Sequence, residues 1–281
     1  MPRVSICLPV YNGAAFVEEA LVSIAAQTFS DYVVLASDNA STDQTADILR
    51  RWADRIPMEI VTQAQTIPMQ AHFDCLLDRV RTESYMLLCH DDFLASPQAL
   101  ERAQTVLDSQ AHVSAVYCDL AYVSERGRAL AHRRFGRSGE MNADDIGRQC
   151  LATARNMFGI PLLVRTDALG ENRYDPQFRY VVDVDLSWTL SKARPCWHIP
   201  EVLIANRYSG GNSTWSLLAS AADEFSRLAE KHGVQLSGSE RIRLKLTTWS
   251  VGRQRQLFGL YERMVTRFGE DHAKGPDRCS V

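Results

Sequence analysis

The sequence contains no apolar run long enough to cross a bilayer, and no signal-peptide pattern precedes its first apolar segment. These two absences predict a cytoplasmic chain. The seven cysteines form neither a Cys-x-x-Cys pair nor a Cys/His cluster at zinc spacing, so buried, reduced thiols are expected. The formal net charge of -3 gives no reason to expect nucleic acid as a partner. No G-x-G-x-x-G pattern follows the first predicted strand, which argues against a dinucleotide-binding oxidoreductase.

Short apolar segments alternate with amphipathic segments in the N-terminal part of the chain. The apolar segments predict strands at residues 4–8, 32–36, 59–61 and 85–89, and helical spacing predicts helices at 15–27, 42–55 and 69–81. Strands separated by helices form βαβ units, and strands that are apolar on both faces lie beneath helices. The sequence therefore predicts an α/β fold with a mostly parallel central sheet flanked by helices.

The chain of 281 residues has a turn-rich break at residues 209–213. Residues 1–215 are predicted to form one domain, with a first half at about 1–110 and a second, mixed half at about 111–215. Helical periodicity predicts that residues 216–281 form a C-terminal helical extension.

Three polar clusters follow predicted strands. They are Pro9-Val10-Tyr11-Asn12, Ser37-Asp38-Asn39 and His90-Asp91-Asp92. The carboxyl ends of parallel strands meet at one edge of a sheet, and ligands bind there. Asp91 and Asp92 suit Mg²⁺ or Mn²⁺, which prefer oxygen ligands; the alternative is a solvated turn that caps the next helix. Two roles are likewise open for Asp38, which could cap a turn or contact a nucleotide base or ribose.

Four motifs resemble those of family 2 glycosyltransferases, which have the GT-A fold, in both order and spacing. They lie at residues 4–13, 23–28, 37–45 and 90–92, where the third resembles the signature Asp-Asp-Gly-Ser-Thr-Asp-x-Thr and the last resembles a D-x-D metal motif. The resemblance covers about the first 215 residues. It implies a GT-A nucleotide-binding domain.

The resemblance also implies a role for individual residues. The nucleotide-sugar-binding residues it implies are Pro9, Val10, Tyr11, Asn12, Asp38, Asn39, His72, Asp91 and Arg207. Among them, Asp38 would bind the base edge and Asp91 the ribose, while Asp92 would ligate Mn²⁺ or Mg²⁺ on the diphosphate. For His72 the alternative is an ordinary surface or core histidine on a helix.

Asp183 lies in a segment that resembles the acceptor-side motif of the family, an acid pair followed by x-Asp-Leu. Inverting transfer needs a base near the acceptor hydroxyl, so Asp183 is the expected catalytic base, and the alternative is a helix cap. Asp185 would point elsewhere in a helix and could instead be a partner of the helix dipole. Arg207 matches the Arg of a Tyr-Arg-x-His turn over the diphosphate, in which Ser209 stands where His is common.

The resemblance implies an inverting, metal-dependent glycosyltransferase of the hexosyltransferase type. Its donor would be a nucleoside-diphosphate sugar, with a UDP-sugar as the first choice. Its acceptor would be a glycan or lipid-linked hydroxyl in bacterial surface polysaccharide or glycolipid synthesis. One alternative is a sugar-phosphate nucleotidyltransferase, but that class carries Arg and Lys after the first strand, and residues 9–13 contain neither. The other is a non-catalytic nucleotide-sugar-binding domain, which the presence of Asp91, Asp92 and Asp183 disfavours.

The predicted C-terminal helices interleave basic and apolar residues. The basic ones include Arg241, Arg243, Lys245 and Arg253, and the apolar ones include Leu244, Leu246 and Trp249. A basic amphipathic helix can lie on an anionic membrane, which predicts peripheral contact with the inner face of a membrane. The alternative is a helix packed on its own domain with a solvated charged face.

Overall fold

The computed structural model describes residues 2–208 and 217–253. Its strands are β1 (Val4–Val10), β2 (Tyr32–Asp38), β3 (Met58–Thr62), β4 (Ser84–Leu87), β5 (Phe93–Leu94), β6 (Ala115–Ser124), β7 (Ala129–Arg133), β8 (Gly139–Met141), β9 (Leu163–Arg165) and β10 (Cys196–Tyr208). Its helices are α1 (Val17–Ala25), α2 (Thr45–Ala53), α3 (Met69–Leu77), α4 (Ala99–Ser109), α5 (Ala143–Thr153), α6 (Thr166–Leu169), α7 (Val182–Ala193), α8 (Ala221–Lys231) and α9 (residues 238–253).

One twisted sheet organises the described part of the chain, with the strand order β3-β2-β1-β4-β9-β6-β10-β5. The N-terminal half, β3-β2-β1-β4, is parallel throughout. The short strand β9 then joins the halves by pairing antiparallel with both β4 and β6, and β6 runs parallel to β10. The predicted α/β architecture with helices on a central sheet is confirmed.

Strand β1 shows why the sheet is covered on both faces. All seven of its residues are buried. Ile6 and Leu8 pack into a core with α1, α2 and α4, while Cys7 points into a second core with α3, α5 and α7. Because side chains alternate along a strand, a strand that is apolar at every position has to lie between two layers of helices.

The strand predicted at residues 4–8 is longer in the structure, where β1 continues past Pro9 to Val10. Alternate residues of a parallel strand point their backbone groups to opposite neighbours, and Cys7 accepts from Leu88 on the β4 side at 2.9 Å. Pro9 faces that same side, past the last paired residue of β4, Leu87. Its missing N–H group therefore leaves no ladder hydrogen bond unmade.

Helices α5 and α7 pack in close contact at Gly147. A Cβ atom at this position would lie 2.0 Å from Cε2 of Trp188, which is 1% exposed. We expect Gly147→Ala to lower the free energy of unfolding by about 1–3 kcal/mol, because the extra methyl group overpacks a filled core. Urea denaturation of the purified protein measures this change.

Gly252 in α9 is the matched control, because a Cβ there meets no atom within 4 Å. Gly252→Ala should be neutral or stabilise by up to about 1 kcal/mol, through helix propensity alone. Equal effects of the two substitutions would contradict the close packing of α5 on α7.

Within the described ranges, no helix combines the length and apolar character that a bilayer crossing requires. Residues 254–281, which complete the predicted C-terminal extension, lie outside the described residues.

Candidate active site

The three polar clusters lie against one another where β1, β2 and β4 end. The Val10 carbonyl accepts the backbone N–H of Asn39 at 2.9 Å, which ties the end of β1 to the end of β2. Gly13 packs so closely on the His90 ring that a Cβ at Gly13 would lie 2.6 Å from His90 Cδ2. Any side chain at position 13 would push the loop after β4 away from the loop after β1.

Two predicted nucleotide contacts, Asn12 and Asn39, use their side chains in hydrogen bonds to the protein backbone. Asn12 has a φ of 46°, a left-handed conformation that Asn tolerates, and its Oδ1 accepts the backbone N–H of Thr42 at 2.9 Å. Asn39 exchanges two hydrogen bonds with the backbone of Ile67, at 3.0 and 2.9 Å. Both amides therefore shape the loops around the sheet edge.

Asp38 and His72 are buried beside these loops, and Tyr11 is exposed. Asp38 is 2% exposed, and its Oδ1 accepts the backbone N–H of Ser41 at 3.0 Å. His72 Nε2 lies 2.9 Å from Ser37 Oγ, and burial lowers the pKa of the His72 ring, which favours the neutral imidazole. The position of His72 is that of a core histidine, and its contact with a nucleotide stays a prediction. Tyr11 is 46% exposed and offers an aromatic face at the same edge.

Cys89, Asp91 and Asp92 bring metal-ligating atoms together: the thiol sulfur and one oxygen of each carboxyl group lie within 4.8 Å of one another. The prediction that Cys89 lies inside a strand was wrong, because β4 ends at Leu87 and the chain then turns, with Asp92 N donating to Cys89 O at 3.0 Å. Burial raises the pKa of the Cys89 thiol well above its usual range, and the carboxylates of Asp92, Asp91 and Asp183 raise it further. The thiol is therefore neutral at pH 7.

Asp92 is held by the end of β10. Its Oδ2 accepts Nδ2 of Asn206 at 2.7 Å, and its Oδ1 accepts the backbone N–H of Arg207 at 2.9 Å. Burial, followed by the charge of Asp91, raises the pKa of Asp92 well above its ordinary value. Two neighbouring carboxylates in such a place ionise together readily only when a cation offsets their charge.

The donor set at Asp91 and Asp92 fits a divalent cation. A carboxylate offers about four lone-pair positions, so the two hydrogen bonds to Asp92 leave room for a ligand bond. Carboxylate oxygens are the ligands that Mg²⁺ and Mn²⁺ prefer, and a bound cation would remove the repulsion that raises the pKa of Asp92. The protonated Cys89 thiol is a poor additional ligand for such an ion.

Arg207 is 3% exposed, and protein atoms surround its guanidinium group. The group forms an ion pair with Glu19 and donates to the carbonyl of Asp91 at 3.1 Å and to that of Glu125 at 2.8 Å. The Arg207 guanidinium also lies 4.9 Å from the centre of the Phe16 ring. Arg207 thus ties β10, α1 and the aspartate turn together, and its predicted contact with the diphosphate stays a prediction.

Asp183 lies in the first turn of α7, and its carboxyl group is surrounded by protein atoms although the residue keeps partial access to solvent. One oxygen accepts Nδ2 of Asn156 and the other accepts the backbone N–H of Val184. Burial raises the pKa of Asp183 to about 6, against the lowering effect of these hydrogen bonds. A carboxyl group with this pKa is ionised at neutral pH and still basic enough to take a proton.

Sequence reasoning did not identify Asn156, which holds Asp183 in place. Asn156 Oδ1 accepts the backbone N–H groups of Phe158 and Gly159, both at 3.0 Å. These two bonds fix the amide so that Nδ2 points at Asp183. No local pattern connects residues 27 positions apart, although Asn156 opens a loop that the sequence shows as irregular.

The turn that would close over the diphosphate is only partly described. Arg207 lies within the described residues, whereas Ser209, at the position where His is common in the resemblance, lies outside them.

Two solved structures share the fold of this chain. Staphylococcus aureus TarS (residues 1–349, in complex with UDP-GlcNAc) superposes with a TM-score of 0.64 at 16% sequence identity, over 87% of this chain and 70% of that one. A mannosyltransferase from Pyrobaculum calidifontis, in complex with GDP-Man and Mn²⁺, superposes with a TM-score of 0.60 at 16% identity, over 88% of this chain and 69% of that one. The fold is therefore of the GT-A class.

The chain belongs to glycosyl transferase family 2, because the sequence model of that family matches residues 5–167. It is 24% identical to an uncharacterized glycosyltransferase of Rickettsia prowazekii (strain Madrid E) over 249 residues, 88% of this chain and 76% of the relative. It is also 32% identical to an abequosyltransferase of Salmonella typhimurium over 114 residues, 39% of this chain and 34% of the relative.

Proposed function

We propose that this glycosyltransferase moves a hexose-type sugar from a nucleoside-diphosphate sugar to an acceptor hydroxyl with inversion at the anomeric carbon. The observation that carries the proposal is the position of Asp183, a buried carboxyl group with a pKa of about 6. Its charge acts on Cys89, and Cys89 is clustered with Asp91 and Asp92. A base and a metal-holding pair within electrostatic reach are what direct displacement at a sugar diphosphate requires.

The nucleotide would lie across the ends of β1, β2 and β4. In this proposal the exposed Tyr11 forms the surface of the base pocket, with the buried Pro9 and Val10 beneath it. Asp38 accepts hydrogen bonds from the base edge, and Asp91 binds the ribose. Asn12 and Asn39 support these loops through their hydrogen bonds to the backbone. A UDP-sugar is the first candidate donor, since TarS in the solved structure holds UDP-GlcNAc.

Asp92 would hold Mn²⁺ or Mg²⁺ at the diphosphate. When bound, such an ion would neutralise the negative charge that grows on the leaving diphosphate. Asn206 and the backbone of Arg207 keep the Asp92 carboxylate in one orientation. The metal of the P. calidifontis mannosyltransferase, Mn²⁺ beside GDP-Man, supports the same choice.

Asp183 would take the proton from the acceptor hydroxyl as that oxygen attacks the anomeric carbon. Asn156 would hold the carboxylate toward the acceptor, and partial burial would keep its pKa close to 6. The acceptor is proposed to be a glycan or lipid-linked hydroxyl of bacterial surface polysaccharide or glycolipid synthesis. The similarity of part of the chain to an abequosyltransferase supports this choice of pathway class.

A thermal-shift screen tests the donor and the metal together. We expect one nucleoside diphosphate, with UDP tried first, to raise the melting temperature in the presence of Mn²⁺, because a ligand that binds only the folded state stabilises it. Chelation or Asp92→Asn should remove most of that shift. GDP and dTDP serve as matched ligands that differ only in the nucleoside.

The same samples separate the proposal from its alternatives. Release of free sugar from the donor, dependent on Mn²⁺, would be glycosyltransferase chemistry. Binding without any turnover on a range of acceptors would point to a non-catalytic binding domain, and pyrophosphate release from a nucleoside triphosphate to a nucleotidyltransferase. An undiminished shift in Asp92→Asn would contradict the metal assignment.

A membrane-facing role is proposed for α9, in agreement with the prediction of a cytoplasmic enzyme at the inner face of a membrane. Leu244 and Val251 pack on the domain, at 4% and 3% exposure. On the opposite face, Ile242, Leu246 and Trp249 are 63%, 63% and 64% exposed, at a spacing of four and three residues. The outer face of the packed helix thus presents an apolar stripe, which a solvated charged face would lack.

Basic residues surround this stripe. Arg241, Arg243, Lys245 and Arg253 are all exposed, and the Arg253 guanidinium lies 5.5 Å from the centre of the Trp249 ring. Apolar side chains flanked by cations, with a tryptophan among them, suit an anionic lipid surface.

Vesicle flotation tests the stripe. We expect the protein to float with vesicles that contain phosphatidylglycerol, and much less with phosphatidylcholine alone. Replacing Ile242, Leu246 and Trp249 with Ser should reduce binding more than about tenfold, because each side chain contributes roughly 1.5–3 kcal/mol when buried. The control is Val22→Ser, an exposed apolar residue of α1. No flotation of the wild type, or dimerisation lost in the triple variant, would contradict the membrane assignment.

A further inference from the structure

Glu224, on α8, accepts three backbone hydrogen bonds from the turn that leads into α7. Its Oε2 lies 2.8 Å from the nitrogen of Arg179, 2.7 Å from that of Tyr180 and 3.3 Å from that of Val181. Helix α7 has no side-chain cap of its own. The Glu224 carboxylate therefore lies where unpaired N–H groups and the positive end of the helix dipole favour an anion.

The position of Glu224 is tightly defined. The residue is 2% exposed, and its other oxygen, Oε1, accepts the hydroxyl of Ser220 at 2.9 Å. A buried carboxylate is stable only when it is hydrogen-bonded in this way, and its removal leaves the three N–H groups without their acceptor. The entry to α7 is thus set by a residue 43 to 45 positions further along the chain.

A second contact fixes the same helix from the other end of α8. Asp185 is 1% exposed, and its two oxygens lie 2.9 Å from His232 Nε2 and 2.8 Å from Lys231 Nζ. The His232 ring also stacks on Trp188, with ring centres 4.3 Å apart and the planes 1° from parallel. The sequence predicted that Asp185 points away from Asp183 and could be a partner of the helix dipole; in the structure its carboxyl group contacts the end of α8.

Asp183 and Asp185 are two residues apart on α7 and so project roughly 200° from each other. Helix α8 holds the side that carries Asp185, and Asn156 bonds the Asp183 carboxyl group. We propose that Glu224 is a positioning residue that sets the start of α7 and thereby aims the Asp183 carboxylate. Helix α8 then belongs to the catalytic unit, although the sequence predicted a separate extension from residue 216.

The inference rests on the proposed role of Asp183 as the base, and two variants of the full-length protein test it. Glu224→Ala removes the acceptor. Glu224→Gln keeps an acceptor oxygen and the shape of the side chain, so it should fold even if Glu224→Ala does not. The control, Asn142→Ala, removes a capping box from α5 and costs about 1 kcal/mol of stability without touching the start of α7.

We expect Glu224→Ala to lower kcat by at least about tenfold with the KM for the donor unchanged, because displacement of a base by about 1 Å is enough for such a loss. The acidic limb of its pH–rate profile should move to lower pH as Asp183 becomes better solvated. Glu224→Gln should restore most of kcat. Asn142→Ala should retain the wild-type profile.

A readout that does not depend on turnover keeps this proposal separate from the proposed function. The carboxyl carbon of Asp183, followed by NMR in protein labelled with ¹³C-aspartate, should titrate at a lower pH in Glu224→Ala than in both the wild type and Glu224→Gln, which lacks the charge but keeps the acceptor. An unchanged Asp183 titration, or a kcat in Glu224→Ala equal to that of Asn142→Ala, would overturn the positioning role. A shifted titration alongside full activity of Asp183→Asn would instead reject Asp183 as the base and leave the positioning intact.

Discussion

Replacing Asp183 with Asn should reduce sugar transfer by about a hundredfold to ten-thousandfold while donor binding survives. This range is what a positioned general base contributes. Asn is nearly the same size, and its side-chain oxygen can still accept from Asn156, so the fold of α7 should persist. Initial rates with the preferred donor, beside nucleotide binding by calorimetry, measure the two quantities separately.

The pH dependence of the wild type checks the same assignment. The pKa of Asp183 is raised to about 6, and the base works only when ionised, so kcat/KM should fall as the pH drops through 6 and level off above 7. In Asp183→Asn this acidic limb should disappear from the residual activity. A variant that keeps near-normal transfer, or an unchanged limb, would show that another group accepts the proton.

Replacing Arg207 with Met should lower the free energy of unfolding by about 2–5 kcal/mol, because each buried carbonyl left without its donor costs about 1–3 kcal/mol. The change would leave the Glu19 carboxylate and the backbone carbonyls of Asp91 and Glu125 without their donor. We also expect weaker metal-dependent nucleotide binding, since the Arg207 side chain holds the backbone carbonyl of Asp91, next to Asp92. Chemical denaturation and the thermal-shift assay measure the two effects.

Glu19→Gln is the control for this substitution. The Glu19 side chain is 49% exposed, against 2% for that of Arg207, so water can replace the lost charge on that side. Its effect should therefore be well below that of Arg207→Met. Similar, small effects of both substitutions would mean that Arg207 is not a structural anchor, and would strengthen the prediction that it binds the diphosphate.

Local pattern in the sequence was enough to predict the N-terminal half of the sheet. The predicted strands at 4–8 and 32–36 correspond to β1 (Val4–Val10) and β2 (Tyr32–Asp38), each too short by two residues. Strand ends were less predictable, because they depend on neighbours: β1 passes Pro9 since its partner β4 stops first. Strand β9, at the junction of the two halves, is only three residues long, and its antiparallel pairing with both β4 and β6 depends on the tertiary structure.

Local pattern likewise predicted only part of the candidate site. Apolar strands followed by polar residues determined that Tyr11, Asp38 and Asp92 meet at one edge, because parallel strands end on the same side of a sheet. Cys89 could not be assigned from pattern, since an apolar neighbour in sequence does not reveal where a chain leaves its strand. The burial of His72 against Ser37 likewise depends on how α3 packs on β2.

The sequence by itself determined the fold class and the family, and it singled out the carboxylates of the candidate site. Those features follow from periodicity and from motifs confined to a few neighbouring residues. Tertiary structure alone decided what holds the carboxylates in place: the bond from Asn156 to Asp183 spans 27 positions, that from Arg179 to Glu224 spans 45, and the Arg207 pair with Glu19 spans 188. Burial strengthens such contacts, and burial is a property of the folded chain that no local segment carries.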